Sequence, residues 1–363
     1  MHQHKVETAG SVHYPLIVGN ELDDYLTKTV SEMDHRRLFL VIDERVDELH
    51  GERLYETLSR NCKHLFRYIV PRGEASKSIT QWKNILDYFL NNNIDRHTPI
   101  LAVGGGVTGD LAGFTAATVL RGVPLIHIPT TLLAMVDSSI GGKTGINHET
   151  GKNLIGSFYQ PHSVIMDMQY LATLEEKEWV NGLSEILKYA SIEDQTIFSE
   201  VEEAIQNAGF QPGAQWKSIV SKCAAIKGEI VQQDEKEKGK RAILNFGHTF
   251  AHAIEAEAGY GQISHGEAVY AGMLAALYAS SQLGADVSPD RLLKFRNLYH
   301  IAWNERSRDV AALTKRMKFD KKVKENTIRL ILLNKWEEPY LYECRNDRLI
   351  TEAWKYIFEQ AEL

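Results

Sequence analysis

The stretch Pro99-Ile100-Leu101-Ala102-Val103-Gly104-Gly105-Gly106-Val107-Thr108-Gly109-Asp110 decides the fold. Its apolar run reads as a buried strand, and G-x-G-x-x-G follows at once, ahead of a helical pattern over residues 111–120. Glycines let main chain approach a pyrophosphate, and a helix N-terminus offers unpaired N–H groups and a favourable dipole. The same residues also suit a tight strand-to-helix turn with no ligand, so the motif alone leaves nucleotide binding open. The acidic residue expected about twenty positions onward for the ribose hydroxyls is absent, because the next strand runs into Pro129-Thr130-Thr131. Asp43, at the end of an earlier apolar run, is the alternative ribose partner.

Working outward, residues 38–42 and 124–128 read as two more buried strands, with helical periodicity over 82–90 between the first pair. The first half is therefore expected to be a parallel α/β sheet. From Glu175 to about Leu283 long helical stretches replace the strand-like runs, and one late run, 328–333, reads as a returning strand. The expected organisation is an α/β domain over residues 1–174 and a mainly helical domain over 175–363.

With 363 residues, 44% of them hydrophobic and 25% charged, the chain has the balance of a globular protein of two ordinary domains. Its net charge of −7 disfavours nucleic acid as a partner and still allows a local basic pocket for a small anion. Cys62, Cys223 and Cys344 are odd in number and far apart, which excludes a disulfide framework and a thiolate zinc site. Residues 1–5 lack the apolar stretch of a signal peptide, and the apolar runs are too short to span a bilayer, so a cytoplasmic protein is expected.

Gly142-Lys143-Thr144 suggests an ATPase phosphate loop, but G-x-x-x-x-G-K-[ST] needs a glycine where Asp137 stands. Residues 137–145 still combine a carboxylate, two hydroxyls and an ammonium on glycine-rich backbone, and Gly151-Lys152-Asn153 follows closely; a ligand-lining loop is expected. The richest stretch is Asn245-Phe246-Gly247-His248-Thr249-Phe250-Ala251-His252-Ala253-Ile254-Glu255. On a helix His248, His252 and Glu255 share a face, and His-x-x-x-His is a zinc spacing. The glutamate of His-Glu-x-x-His is missing, so the metalloprotease reading fails. Ser264 and Glu267 form a capping-box pattern that places His265 in the first turn of another helix. Glu185 and Lys188 lie one turn apart and have the spacing of an ordinary surface pair. The residues by themselves propose zinc on His248, His252 and Glu255, and do not separate that set from one borrowing His265 or Glu185.

Together these segments resemble 3-dehydroquinate synthase, a member of the sugar-phosphate cyclase superfamily, over nearly the whole chain. The matching strings begin at Val103 (VGGGVTGDLAGF), Arg121 (RGVP), Pro129 (PTTLLA), Val136 (VDSSIGGKTGIN) and Gly151 (GKNLIGSFYQP). They continue with Ser184 (SEILKY), Asp234 (DEKEKG) and Leu244 (LNFGHTFAHAIE), all in order. The resemblance implies an N-terminal Rossmann-like α/β domain with a mostly α-helical C-terminal domain, NAD, and zinc or cobalt held by Glu185, His248 and His265. His252 then becomes a substrate-side residue. It implies NAD contacts at Asp43, Glu74, Lys77, Gly105, Gly106, Val107, Asp110, Thr130, Thr131, Asp137, Ser138, Lys143, Lys152, Asn153 and Thr173. Substrate contacts are implied at Asp137, Lys143, Asn153, Lys188, Lys227, Arg241, Asn245, His252 and Lys322, and a partner subunit's Arg121 is implied to hold phosphate in a homodimer. The implied reaction closes 3-deoxy-D-arabino-heptulosonate 7-phosphate into 3-dehydroquinate by transient oxidation, β-elimination of phosphate, re-reduction, ring opening and aldol closure. Met135, Gly228 and Ala251 depart from the family's usual glutamine, alanine and glycine. The rivals are a related cyclase acting on sedoheptulose 7-phosphate and a metal-dependent polyol dehydrogenase; the carboxylate-binding character of Lys227, Arg241 and Asn245 argues against the first, and the phosphate-binding basic residues against the second.

Overall fold

The computed structural model describes residues 1–7, 13–33, 37–60, 62–259, 261–319 and 327–361; Lys322 lies outside them. It divides into two compact units, Met1–Trp179 with Ala208–Lys236, and Val180–Asn207 with Glu237–Leu363.

The first unit is built on a seven-stranded sheet. Its strands are β1 (His2–Glu7), β2 (His13–Gly19), β3 (Arg37–Asp43), β4 (His64–Val70), β5 (Ile100–Gly104), β6 (Leu125–Pro129) and β9 (Ser163–Asp167), while β7 (Lys143–His148) and β8 (Gly151–Phe158) form a separate hairpin. The sheet order is β1-β2-β9-β6-β5-β3-β4, parallel throughout except for β1 on β2. Every residue of β5, β6 and β9 is buried. That is why these strands read as continuous apolar runs: a parallel strand covered on both faces has no polar side to alternate with. Helix Ala214–Gln233 belongs to this unit; a Cβ on its Gly228 would lie 3.2 Å from Val6 Cγ2 and 3.4 Å from Leu16 Cδ1, so the departure from alanine relieves a tight contact with β1 and β2.

The topology locates a binding crevice. From β3 the chain steps outward to β4, then returns to place β5 on the other side of β3. The order reverses between β3 and β5, and open α/β sheets bind ligands beyond the carboxyl ends of the strands at such a point. The two strand ends there are Asp43 and Gly104.

The buried His127 of β6 lies beside the glycine turn; a Cβ on Gly109 would be 3.6 Å from its ring. Burial depresses its pKa from 6.5 to about 4. The unfolded chain therefore binds the extra proton between those values, and stability falls as pH drops through that window. His127→Phe should lose less stability between pH 7 and pH 5 than the parent does, by roughly 2 kcal/mol, in urea titrations at the two pH values. Parallel losses would sink this assignment.

The second unit is mostly helical, with Glu176–Ile192 entering it at Val180, then His248–Ala258, His265–Gln282, Val310–Phe319 and Asp347–Ala361. The late strand-like run is β10 (Ile328–Leu333), paired antiparallel with β11 (Pro339–Cys344). Ser264 and Glu267 form the expected reciprocal capping box. Glycines set the helix spacing. A Cβ on Gly266 would meet Asn181 O at 2.3 Å, and one on Gly272 would meet Gly247 O at 2.1 Å. Only hydrogen fits at either position, and these approaches bring three helices together around one point.

Candidate active site

In the first unit several of the residues that the resemblance implies for NAD, Asp43 and the Gly105–Val107 turn among them, stand at the β3–β5 switch point. Gly105 caps helix Gly106–Thr118 with no side-chain bond, so Val107 and its neighbours begin the helix with backbone N–H groups directed outward. A Cβ on Gly105 would lie 3.1 Å from Thr131 Cγ2, and one on Gly106 would lie 3.0 Å from Ser138 Oγ, so this turn is a cradle that side chains would fill. Thr131 Oγ1 accepts from Ala134 N at 3.1 Å. Thr130 Oγ1 and Ser138 Oγ are buried with no hydrogen-bond partner, a costly state that a polar ligand would relieve. Asp43 uses one oxygen, Oδ1, to accept from Arg45 N and Val46 N, capping the short helix after β3.

Beside this cradle Lys77 is buried, with its ammonium 2.6 Å from Asp110 Oδ2 and donating also to Asn153 Oδ1. Burial pushes the Asp110 carboxyl up, and the charge of Lys77 pulls the other way. Glu74 Oε1 accepts from Asn147 Nδ2 at 2.7 Å. Thr173 Oγ1 lies 2.8 Å from His50 Nε2 and donates to Tyr170 O at 3.2 Å. Lys227 donates to Asp137 Oδ1 and to its backbone oxygen, each at 2.7 Å. Lys143 begins β7 and Lys152 lies on β8. The segment expected as a loop is thus a π-helical turn, Ala134–Ser138, running into a β-hairpin. A Cβ on Gly113 would meet Thr144 Cγ2 at 2.5 Å, so the hairpin packs on the helix of the glycine cluster through a glycine that the motif reading passed over. Arg121 is exposed, on a turn where Leu120 and Arg121 both take positive φ, +50° and +65°. Such backbone is costly away from glycine and clusters at functional sites.

In the second unit three helices converge on a carboxylate. Glu185 is fully buried, and its Oε1 lies 3.5 Å from both His248 Nε2 and His265 Nε2. Among the described residues these three form the group whose ligand atoms all lie within 4.8 Å of one another. This is the set the resemblance implies; His248, His252 and Glu255 form no such group among the described residues. His252 stands beside His248, rings 5.7 Å apart, outside that group. Glu255 Oε2 lies 3.8 Å from the opposite nitrogen of His265, Nδ1, where it orients the ring.

The protonation states suit a cation. His248 Nδ1 donates to Phe246 O at 3.1 Å, which leaves Nε2 as the lone-pair face, and burial depresses its pKa to about 3. Burial opposes charge on His265 too, but hydrogen bonds and charge from Glu185 and Glu255 outweigh it and raise the pKa to about 10. The ring sits between two carboxylates, Glu185 on Nε2 and Glu255 on Nδ1, and a divalent ion at Nε2 would displace the proton there. Lys188, on the same helix as Glu185, is buried with its ammonium on Glu185 Oε2, so this pair is interior and not surface. Arg241 is buried on the turn Lys240–Asn245, and Asn245 Nδ2 donates to Glu237 Oε1 at 2.7 Å. Sequence reasoning missed Asn147, His50 and Glu237; Asn147 and Glu237 carried a signal, since both lie in matched strings, and His50 carried none.

The fold is shared with solved cyclases and, more distantly, with solved dehydrogenases. A 2-deoxy-scyllo-inosose synthase complexed with carbaglucose-6-phosphate, NAD+ and Co2+ matches with a TM-score of 0.85 at 25% identity, covering 98% of this chain and 99% of that one. The 2-epi-5-epi-valiolone synthase of Streptomyces hygroscopicus subsp. jinggangensis 5008, with NAD+ and Zn2+ bound, matches with a TM-score of 0.86 at 25% identity, covering 96% and 98%. Within this class the sequence narrows the assignment. Models of the 3-dehydroquinate synthase N-terminal and C-terminal domains match residues 67–181 and 182–323, and the 3-dehydroquinate synthase of Salinibacter ruber (strain DSM 13855 / M31) is 42% identical over 322 residues, 88% of each chain. The chain belongs to the 3-dehydroquinate synthase family.

Proposed function

We propose that this chain converts 3-deoxy-D-arabino-heptulosonate 7-phosphate into 3-dehydroquinate and inorganic phosphate, as a carbon–oxygen lyase that ends each turnover with its NAD unchanged. The observation that carries this reading is the Glu185–His248–His265 donor group, built on a buried carboxylate, in a chain of this family. The two solved cyclases with NAD+ and a divalent metal support both cofactors. The nitrogen and oxygen donors suit zinc, with cobalt the alternative. When bound, NAD supplies a hydride acceptor and donor, and the metal supplies Lewis acidity toward a hydroxyl.

The chain's own residues would do the remaining work. Thr130 and Ser138 give up their unpaired state to the nucleotide, Gly105, Gly106 and Val107 offer backbone to its pyrophosphate, and the second oxygen of Asp43 takes its ribose. Glu74, Lys77, Asp110, Thr131, Asp137, Lys152 and Thr173 complete that site. Lys143, Asn153, Lys188, Lys227, Arg241, Asn245, His252 and Lys322 bind and orient the substrate's hydroxyls, carboxylate and phosphate, and fixed geometry contributes much of the acceleration. The exposed, strained Arg121 supports a homodimer in which the partner's Arg121 holds phosphate. Among the described residues no helix is long and apolar enough to cross a membrane, and a cytoplasmic setting fits the family.

The test is phosphate release from the heptulosonate phosphate, followed together with absorbance at the NADH band, with and without a chelator. Phosphate without net NADH, abolished by the chelator and restored by zinc, is expected. Net NADH would indicate a dehydrogenase. Release from sedoheptulose 7-phosphate alone would indicate the sister cyclase.

A further inference from the structure

We infer that Asn147 is a positioning residue that fixes the nucleotide-side Glu74 and the substrate-side Asn153 in one register, so that one side chain couples the two sites. The inference rests on the functional reading above for what Glu74 and Asn153 touch. Its own basis is the hydrogen bonding around Asn147.

Asn147 sits where the hairpin register breaks. Ile146 pairs with Ile155, but His148 pairs with Gly151, and the irregularity falls between them. A bulge of this kind re-aims a side chain away from the ladder. Here the backbone N–H of Asn147 donates to Lys77 O at 2.8 Å, tying the hairpin to the Glu74–Ser76 turn. Its side chain then reaches both ways: Nδ2 donates to Glu74 Oε1 at 2.7 Å, and Oδ1 accepts from Asn153 N at 2.9 Å. The partners fix the amide's orientation, since a carboxylate must accept and a peptide N–H must donate. Asn153 needs that hold. Its φ is +55°, a left-handed conformation that asparagine adopts at a cost, and its side-chain oxygen accepts from the buried Lys77, which also holds Asp110. Glu74, Asn147, Asn153, Lys77 and Asp110 thus form one chain of bonds.

A purely structural role fits this placement poorly. Asn147 is only half-buried, and Glu149, Thr150 and Asn153 around it are exposed, so the hairpin tip adds little to the core. The contacts act on the pose of two site residues.

Two variants separate the arms. Asn147→Ala removes both bonds. Asn147→Asp keeps an acceptor for Asn153 N–H but sets a carboxylate against Glu74. The lost bond to the Glu74 carboxylate is worth roughly tenfold or more in a binding constant, and the one to the neutral Asn153 N–H up to about tenfold. Asn147→Ala should therefore raise both the NAD dissociation constant and the substrate KM, measured at saturating NAD, by about tenfold each. Asn147→Asp should raise the NAD constant by as much and leave the substrate KM within about threefold. Metal content and thermal midpoint should stay at the parent's values in Asn147→Asp, which also serves if the alanine variant folds poorly. Unchanged constants in both variants, or an Asn147→Asp substrate KM as poor as that of Asn147→Ala, would overturn the inference. The parent enzyme is assayed alongside: if it binds NAD and releases phosphate while the variants behave like it, this inference alone fails. If the parent does neither, the functional reading fails and takes the inference with it.

Discussion

Glu185→Gln is expected to lose the metal and the activity together. Glu185 is the one anionic member of the donor group, fully buried and 3.5 Å from both histidine Nε2 atoms. A neutral amide at that point removes the charge that offsets a divalent ion's desolvation, and activity should fall by at least about a thousandfold, the rate equivalent of several kcal/mol of Lewis-acid stabilisation. A second consequence separates ligand loss from general damage. The ammonium of Lys188 is buried on Glu185 Oε2, and removing one partner of a buried pair costs about 3–5 kcal/mol. The double variant Glu185→Gln with Lys188→Met removes the stranded charge as well. It should recover most of the lost thermal stability while binding no metal. Metal analysis after dialysis and urea melts check both statements, and a normal metal content in Glu185→Gln would sink the ligand assignment.

The same carboxylate shows where a linear reading reaches its limit. Glu185 and Lys188 have the spacing that serves equally for a solvated surface pair or a buried one, because i,i+3 geometry belongs to the helix and burial to what packs on it. Likewise His248, His252 and Glu255 lie along one helix as expected, yet the donor group takes one residue from each of three helices. Long-range convergence leaves no local period to detect; the residues alone left Glu185 and His265 as open alternatives, and only the family resemblance selected them. What was legible is the part with local causes. Doubly covered strands give unbroken apolar runs at β3, β5 and β6, the capping box at Ser264 marks its helix, and the glycine turn after β5 marks the switch point. The expected loop over residues 137–145 overlaps the start of β7, where glycines are poor strand formers; pairing between Thr144 and Ser157 and the contact with Gly113 hold the hairpin.

Gly272→Ala is expected to be a strongly damaging single-methyl substitution in the second unit. In a helix, glycine to alanine ordinarily stabilises by up to about 1 kcal/mol. Here the added Cβ would sit 2.1 Å from Gly247 O, 3.0 Å from Gly247 C and 3.1 Å from Ala251 N. All three atoms are backbone, so no side chain can swing aside, and the two helices must separate. The overpacking cost exceeds the propensity gain, at about 1–3 kcal/mol or more. The separation also reaches the metal: Gly247 directly precedes His248, and Gly272 lies on the helix that begins at His265. Moving these helices apart pulls Nε2 of one histidine from Nε2 of the other, and metal ligation tolerates only a few tenths of an ångström. Gly272→Ala should therefore show a lowered thermal midpoint and metal affinity reduced by roughly a hundredfold, of the order seen when ligand positioning is lost. Gly213→Ala is the control, since its Cβ would meet nothing within 4 Å. Chelator competition and melting curves on the two variants decide the matter. Metal affinity and stability in Gly272→Ala equal to those of Gly213→Ala would mean that the close helix crossing does not set the donor geometry.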